Sequence, residues 1–580
     1  MPKRWWTPYA IVTILLLPIV LPLYAKTILG SADNLAHLFR VVNLDAALSQ
    51  GYIWPRWASL EAHGYGAPIF NFNYMLPYFI IRFFWQLTGS LLHGSQLFMM
   101  ATLLGSAFGM YVFVASLFSV SAAILAAVVY AYMPYHLMTV YLYGGYGEAL
   151  AFVWLPLFAY FYVQFIKAPS KRWNGVLAVV MLALLILTHN LSALMAIPFI
   201  YSLVFVVSSD VPVSVRIRNT VISAASSILL TTWFWLPSIA EQQYTKLSVL
   251  FEKETALRRY FFQMIAPIVE NSFSALRLIP PSYYSYAIGI PTILIFCFTT
   301  LFLFQQIMSG KGWKEEKTRI GIFYLTWFIV TLGMTRAWSE PLWKLLPAQM
   351  NFLSYPYRFF FLNAFATAIL AGFVLTRLRA MYPQNITNLF SVGLIAFTVW
   401  QGVIYAHPAI DRFGFGETYF SYEQTVREAP FTHKNMGYIE FIPRTADSDF
   451  VNGLDGSQAH PRVEIISGQG SVELTKQQAQ DLYIRVLAED SVQLRVNILY
   501  FPGWQGVLHG VKKFPKVDAQ GRMIFVLPKG RYEFHVSFQN TPVRIVATYI
   551  SIISFGALLL VYIFCFSKDI SRRAQARGLR

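Results

Sequence analysis

Asp33, His37 and Arg40 stand at i, i+4 and i+7, so on a helix an acid, an imidazole and a guanidinium share one face. They belong to "SADNLAHLFRVVNLDAALSQGYIWPRWASLEAHGYG", residues 31–66, which lies between two apolar stretches and also carries Asp45, Arg56, Glu61 and His63. Leu35, Leu38, Val42 and Leu48 give the same helix an apolar surface suited to a membrane interface. A plainer account is a solvated helix start in which Asp33 answers the helix dipole. In "YLYGGYGEALAFVWLP", Glu148 follows glycines at the head of an apolar helix. A carboxylate there is expensive unless it has a partner or a water-filled cavity, or simply caps its helix. In "LLILTHNLSALM", His189 and Asn190 sit at the tip of a helical hairpin, where His189 either meets a ligand or bonds within the turn. "RAWSEPLWKLLPAQMNFLSYPYRFFFL" adds Arg336, Glu340, Lys344 and Arg358 among aromatic residues and prolines. Arginine presents a planar fork to phosphate oxygens, although Arg358 can equally snorkel to lipid headgroups.

The elements that must position these groups are apolar. The chain has 580 residues, 56% of them hydrophobic, 17% aromatic and only 13% charged, which excludes an ordinary soluble globular protein. A bilayer core of roughly 30 Å calls for about 20 apolar residues per helix. Windows of that kind lie at 9–29, 71–92, 96–117, 120–134, 148–167, 174–190, 192–208, 219–238, 286–307, 319–336, 356–376, 388–406 and 545–566, giving a polytopic α-helical membrane protein of about thirteen spans. Lys3 and Arg4 precede the first, which reads as an uncleaved anchor because it is long and lacks a clean small-x-small site.

The net charge of +17 is explained by placement rather than by a polyanionic partner. Lys167, Lys171, Arg172, Arg216, Arg218, Lys311, Lys314, Lys317, Arg319, Arg377, Arg379 and the tail from Lys568 to Arg580 occupy short loops and an end that the positive-inside rule makes cytoplasmic. Residues 30–70, 239–285, 337–355 and 407–542 then share the outer side of a cytoplasmic membrane. Parity requires an odd number of crossings between 70 and 168, where four windows stand, so one is re-entrant or two form one bent helix.

Three regions follow: a membrane domain, 1–406, with a first external loop at 30–70; an external β-rich domain, 407–542; and a last membrane helix with a basic tail, 543–580. "RVEIIS", "DLYIRVLAED", "SVQLRVNILY", "RMIFVLPKG" and "RYEFHVSFQ" alternate between turn residues in the manner of a β-sandwich, placed to cover the mouth of an external cavity. Cys297 and Cys565 fall inside spans, so no disulfide framework is expected. "DSD" at 447–449 is too short a motif to argue for a metal, and no internal repeat or phosphate-binding glycine loop occurs.

An acid in a long first external loop, many helices and a C-terminal external β domain resemble the GT-C superfamily of membrane glycosyltransferases, which use polyprenyl-phosphate sugars. More specifically, "DNLAHLFRVVNLDAALSQGYIWPRWASLEAHGYGAPIFNFNYMLPY", "MPYHLMTVYLYGGYGEALAFVWLPL", "LTHNLSALM", "YPYRFF", "YIEFIPR" and "YFPGWQGVLHG" resemble, in order, the bacterial membrane proteins labelled 6-pyruvoyl-tetrahydropterin synthase related. No pterin synthase activity is expected, since the His-rich zinc site and Cys nucleophile of the soluble enzymes have no counterpart here. The resemblance implies transfer of a sugar, with inversion, from a polyprenyl-phosphate donor to an envelope polymer, lipid or protein. It makes Asp33 the general base, with His37 orienting it or the acceptor. Arg40, Arg336 and Arg358 would hold the donor phosphate, and Glu148, His189 and Glu440 would bind sugar or acceptor hydroxyls, Glu440 with an equal claim to a hinge role. No metal or other cofactor is expected, although some GT-C enzymes use a divalent cation, and no nucleic acid partner. The alternatives are a flippase for lipid-linked saccharides, which should show paired interrupted helices, and a non-catalytic assembly protein.

Overall fold

The computed structural model describes residues 5–24, 32–247, 258–274, 286–310, 314–345, 355–406, 441–453 and 461–576, the side chains of 32, 33, 452 and 565–576 excepted. Among the described residues, six helices are long and apolar enough to cross a membrane: Leu91–Leu117, Tyr146–Lys167, Ile290–Met308, Pro356–Met381, Gln384–Val403 and Pro542–Phe564. Three bent pairs bring that number to as many as nine: Val120–Tyr132 with Pro134–Tyr143, Val213–Leu230 with Thr232–Tyr244, and Glu316–Met334 with Ala337–Lys344, bent by 46°, 69° and 90°. Thr7–Leu23, Arg172–Thr188 and Asn190–Phe205 are apolar but shorter.

Every expected window except 71–92 largely overlaps one of these segments. That window contains a helix of only 13 residues, Leu76–Thr88. At 1.5 Å per residue it is about 20 Å long, too short for a bilayer core. Extended Asn73 precedes it and left-handed Gly89 ends it, after which Ser90 caps Leu91–Leu117 by accepting from the His93 amide. Three apolar stretches remain between 70 and 168: Leu91–Leu117, the bent pair from Val120 to Tyr143, and Tyr146–Lys167.

The ends of the bundle differ in chemistry. At one end Lys167 pairs with Glu316 at 3.0 Å and Arg377 with Glu315 at 2.8 Å, while Arg216 donates to the carbonyls of Val204 and Val207. Arg319 donates to the Val206 carbonyl, and Arg379 reaches across to Ser121. The basic loops therefore gather in one place. The first loop and the β domain occupy the other end. Helix Phe360–Met381 runs between the two ends, buried along most of its length, whereas the last helix is mostly exposed on the outside of the bundle.

The β domain is a sandwich. Strands β1 (Val463–Ser467), β4 (Val492–Leu499), β8 (Arg522–Leu527) and β7 (Lys516–Val517) form one antiparallel sheet in that order. Strands β2 (Gly470–Gln477), β3 (Asp481–Ala488), β9 (Gly530–Phe538), β5 (Trp504–Leu508) and β6 (Val511–Lys513) form the other. Alternation puts Leu482, Ile484 and Val486 against Val492, Leu494 and Val496, and Phe525 meets Phe534 edge to face between the sheets at 5.0 Å. First-loop residues complete this core: Trp57 packs against Trp504 and Phe538, each with ring centroids 5.4 Å apart, and Phe72 against Phe501.

A buried polar hub joins the parts. Glu241 Oε1 accepts from the Thr541 hydroxyl at 2.6 Å, and Oε2 accepts from Asn71 Nδ2 at 2.8 Å and Arg544 Nε at 2.9 Å. Arg544 also donates to the carbonyls of Pro502 and Gln539, and Arg56 links Asn71 to the Trp233 carbonyl. Replacing one member leaves the others buried without a counter-charge, so Glu241→Ala should cost about 3–5 kcal/mol. Thermal unfolding of detergent-purified protein should show this loss, with much of it recovered by the double change Glu241→Leu with Arg544→Met.

Candidate functional site

Helix Ala32–Leu48 carries the first-loop residues. It does not lie on a surface as its amphipathic pattern suggests, because Asn34 to Val41 are buried on every side. His37 and Arg40 are buried away from solvent, whereas Asp45, nearer the end, makes a partly exposed pair with Arg82 at 2.7 Å. Asp33 stands one turn before His37 on this helix, and its side chain lies outside the described residues.

His37 Nδ1 lies 2.7 Å from the Tyr78 hydroxyl, which also accepts from Asn73 Nδ2 at 3.1 Å and from Arg40 at 3.4 Å. Two donors occupy the phenolic oxygen, so the Tyr78 proton points to Nδ1 and His37 carries its own proton on Nε2. Burial first, then the charges of Arg40 and His189, hold His37 well below the usual histidine range and keep it neutral.

His189 caps helix Asn190–Tyr201: its Nδ1 accepts from the Ser192 amide at 3.3 Å and lies 2.7 Å from the Ser192 hydroxyl. The turn-capping account is therefore realised, and it leaves the second ring nitrogen to carry the proton. Glu148, at the head of Tyr146–Lys167, accepts from the Tyr135 hydroxyl at 2.8 Å and lies within electrostatic reach of Arg358. Arg358 sits in the turn Pro356–Phe359 over the Tyr355 ring, 4.7 Å from its centroid, with Tyr357 beside it. Tyr357 stacks on Tyr286 at 5.3 Å and faces Tyr143 at 6.0 Å, so phenol rings line this side.

Tyr74 joins the two halves. Its ring centroid is 6.2 Å from that of His37 and 5.5 Å from that of His189, and it feels the charges of Arg40, Glu148 and Arg358 together. The first-loop helix, the 141–149 turn, the 188–191 turn and Arg358 thus converge on one buried place. Arg336 is not among the residues brought there. Arg336 donates to the carbonyls of Ile265 and Ala266, and no contact among the described residues carries it to Tyr74. Glu440 lies outside the described residues, and the segment after it docks on 244–246, where the Arg444 amide donates to the Tyr244 carbonyl.

Sequence reasoning missed the tyrosines. Tyr74, Tyr78, Tyr135 and Tyr146 stand in "NFNYMLPY" and "MPYHLMTVYLYGGYGE", which gave them no role. The usable signal was their company: asparagines and a glycine pair beside phenols that need partners when buried. Tyr146 donates to Asn34 Oδ1 at 2.5 Å.

These features define a polytopic helical protein with a buried polar site at the end of its bundle that carries the sandwich. The chain belongs to the family described as 6-pyruvoyl-tetrahydropterin synthase related domain, membrane protein, whose pattern matches residues 70–406. That region holds Tyr74, Glu148, His189 and Arg358 but not His37 or Arg40. No curated protein matches the chain. Among solved structures it is similar, at 14% identity and a TM-score of 0.41, to arabinofuranosyltransferase AftD from Mycobacteria, with 71% of this chain and 27% of that one covered. It is similar to the same degree to archaeal oligosaccharyltransferase AglB from Archaeoglobus fulgidus in complex with an inhibitory peptide and a dolichol-phosphate, with 70% of this chain and 56% of that one covered. The chain therefore spans about a quarter and about half of those proteins.

A Cβ at Gly147 would stand 2.4 Å from Tyr74 Cζ, so glycine is what lets the ring sit there. Gly147→Ala should force Tyr74 out and cost about 1–3 kcal/mol through overpacking. A lowered unfolding temperature in detergent checks this, whereas an unchanged one would show that the ring yields freely.

Proposed function

We propose that this protein is a membrane glycosyltransferase that moves a sugar from a polyprenyl-phosphate donor to an acceptor hydroxyl on the outer side of a cytoplasmic membrane. What supports the reading is the convergence of Arg40 and Arg358, from loops far apart in sequence, on Tyr74, with a carboxylate and two histidines around it. Charged groups in a membrane bundle mark a substrate path. Two guanidiniums suit a phosphate, and phenol rings suit a sugar. The basic loops at the opposite end make that end cytoplasmic.

In this reading Asp33 takes the proton of the acceptor hydroxyl, whose oxygen attacks the anomeric carbon from the side opposite the phosphate. The bond from that carbon to the phosphate oxygen breaks, and the lipid phosphate leaves with the electron pair, inverting the centre. Arg40 and Arg358 stabilise the charge that grows on it. Neutral His37, its Nδ1 engaged by Tyr78, orients Asp33 or the acceptor through Nε2–H. Glu148 and His189 hold sugar hydroxyls, while Arg336 positions its loop. The acceptor is an envelope polymer, lipid or protein, and the chemistry asks for no metal.

Asp33→Asn keeps the shape of the side chain but cannot take the proton, so it should lower transfer by about 10²- to 10⁴-fold while donor binding survives. Arg358→Ala should instead weaken donor binding, because it removes a charge-assisted contact present before reaction. Transfer and binding assays with purified protein in lipid separate the two. Unchanged turnover of Asp33→Asn at saturating donor would defeat the enzymatic reading.

A further inference from the structure

One acid in the same region has no part in this mechanism. Glu61 is buried, 2% exposed, and its Oε1 meets no hydrogen-bond donor among the described residues. A buried carboxylate oxygen left unsatisfied costs stability, and a hydrogen-bond donor on a ligand would remove that cost. Among the described residues, Arg40, from helix Ala32–Leu48, and Tyr78, from helix Leu76–Thr88, lie within electrostatic reach of it. Burial lifts its carboxyl to about 7, with Arg40 opposing the rise.

The backbone that places Glu61 is strained. Ala62 and His63 follow it with φ of 48° and 55°, two successive left-handed residues that are not glycine. Gly66 closes the turn at φ 80°, where a Cβ would stand 2.4 Å from the Trp57 indole nitrogen. The sandwich holds this turn in place: Arg462 donates to the Gly64 carbonyl at 2.5 Å and the Leu499 amide to the Tyr65 carbonyl at 3.0 Å. Strain kept by contacts from another part of the chain, next to an unsatisfied buried acid, is the arrangement found where a side chain is aimed at a ligand.

The neighbours narrow the ligand's chemistry. Arg40 disfavours a metal ion or an amine beside Glu61, and the carboxylate itself disfavours an anion. A neutral hydroxyl donor satisfies Oε1 and tolerates the guanidinium. We propose that Glu61 is a sugar-recognition residue, its carboxylate accepting hydrogen bonds from hydroxyls of the neutral sugar whose phosphate Arg40 faces. This rests on the reading of the protein as a user of lipid-phosphate sugars and adds the residue that distinguishes the sugar from the lipid.

The test compares two ligands on full-length protein in lipid nanodiscs: dolichyl phosphate, and the tightest binder from a panel of dolichyl-phosphate hexoses and pentoses. Glu61→Gln should weaken the sugar-bearing lipid about tenfold or more while leaving dolichyl phosphate unchanged, and the latter also reports that the variant is folded. Glu61→Asp should recover part of the loss. Equal affinity of wild type and Glu61→Gln for the sugar-bearing lipid overturns the inference and leaves the donor reading standing. Equal weakening of both lipids also overturns it, because Glu61 then supports the loop and not the sugar. Wild-type protein that binds neither lipid overturns the donor reading itself.

Discussion

The ion pair of Glu241 with Arg544 is the constraint on which the arrangement depends. Arg544 is fully buried and Glu241 nearly so. Taking both out of water is expensive, and the cost is offset only when every lone pair and proton finds a partner. Glu241 collects its partners from the first loop, through Asn71, and from the start of the last helix, through Thr541 and Arg544. Arg544 in turn binds the turn before β5 and the end of β9 while stacking on Phe538. Because the pair is satisfied only when the bundle, first loop, sandwich and last helix are all in place, it couples their positions. Such pairs add little net stability, but they penalise every arrangement that leaves one member alone.

This coupling changes how the sandwich relates to the site. A domain that merely covered a cavity would own its core and could be removed. Here Trp57, Tyr65 and Phe72 of the first loop are buried with the sandwich residues, and strands β4 and β5 meet them directly. The same loop is tied to helix Ala32–Leu48, where the Leu60 amide donates to Asn43 Oδ1 at 2.9 Å. The position of His37 and Arg40 therefore depends on β strands more than 400 residues away, and a lesion in the sandwich reaches the site without touching it.

Much of the scaffold was legible because lipid and sheet geometry leave strong periodic marks. The apolar windows and alternating strands recur at the expected places, and the charges of the first loop, of Glu148, of His189 and of Arg358 were visible as anomalies in an apolar chain. Helix Leu76–Thr88 was not legible as a short element, because the apolar run of 71–92 hides extended Asn73 and left-handed Gly89 inside an apparent span. Tyr74 and Tyr78 were missed for a related reason: phenols near a bilayer surface are common, and only proximity to His37, Arg40 and His189 gives these two a role. The pairing of Glu241 with Arg544 joins residues hundreds of positions apart, with no local pattern to announce it. Arg336 stood out by charge, but its guanidinium is engaged by main-chain carbonyls.

The central claim is that one buried place around Tyr74 receives a lipid-linked sugar, and direct observation of the complex tests it best. A structure of the protein in nanodiscs with a bound polyprenyl-phosphate sugar should show the phosphate between Arg40 and Arg358, the sugar in the Tyr74 region, and the lipid chain leaving between helices toward the bilayer. A headgroup bound among the basic loops at the other end, or outside the Tyr74 region altogether, would contradict the account.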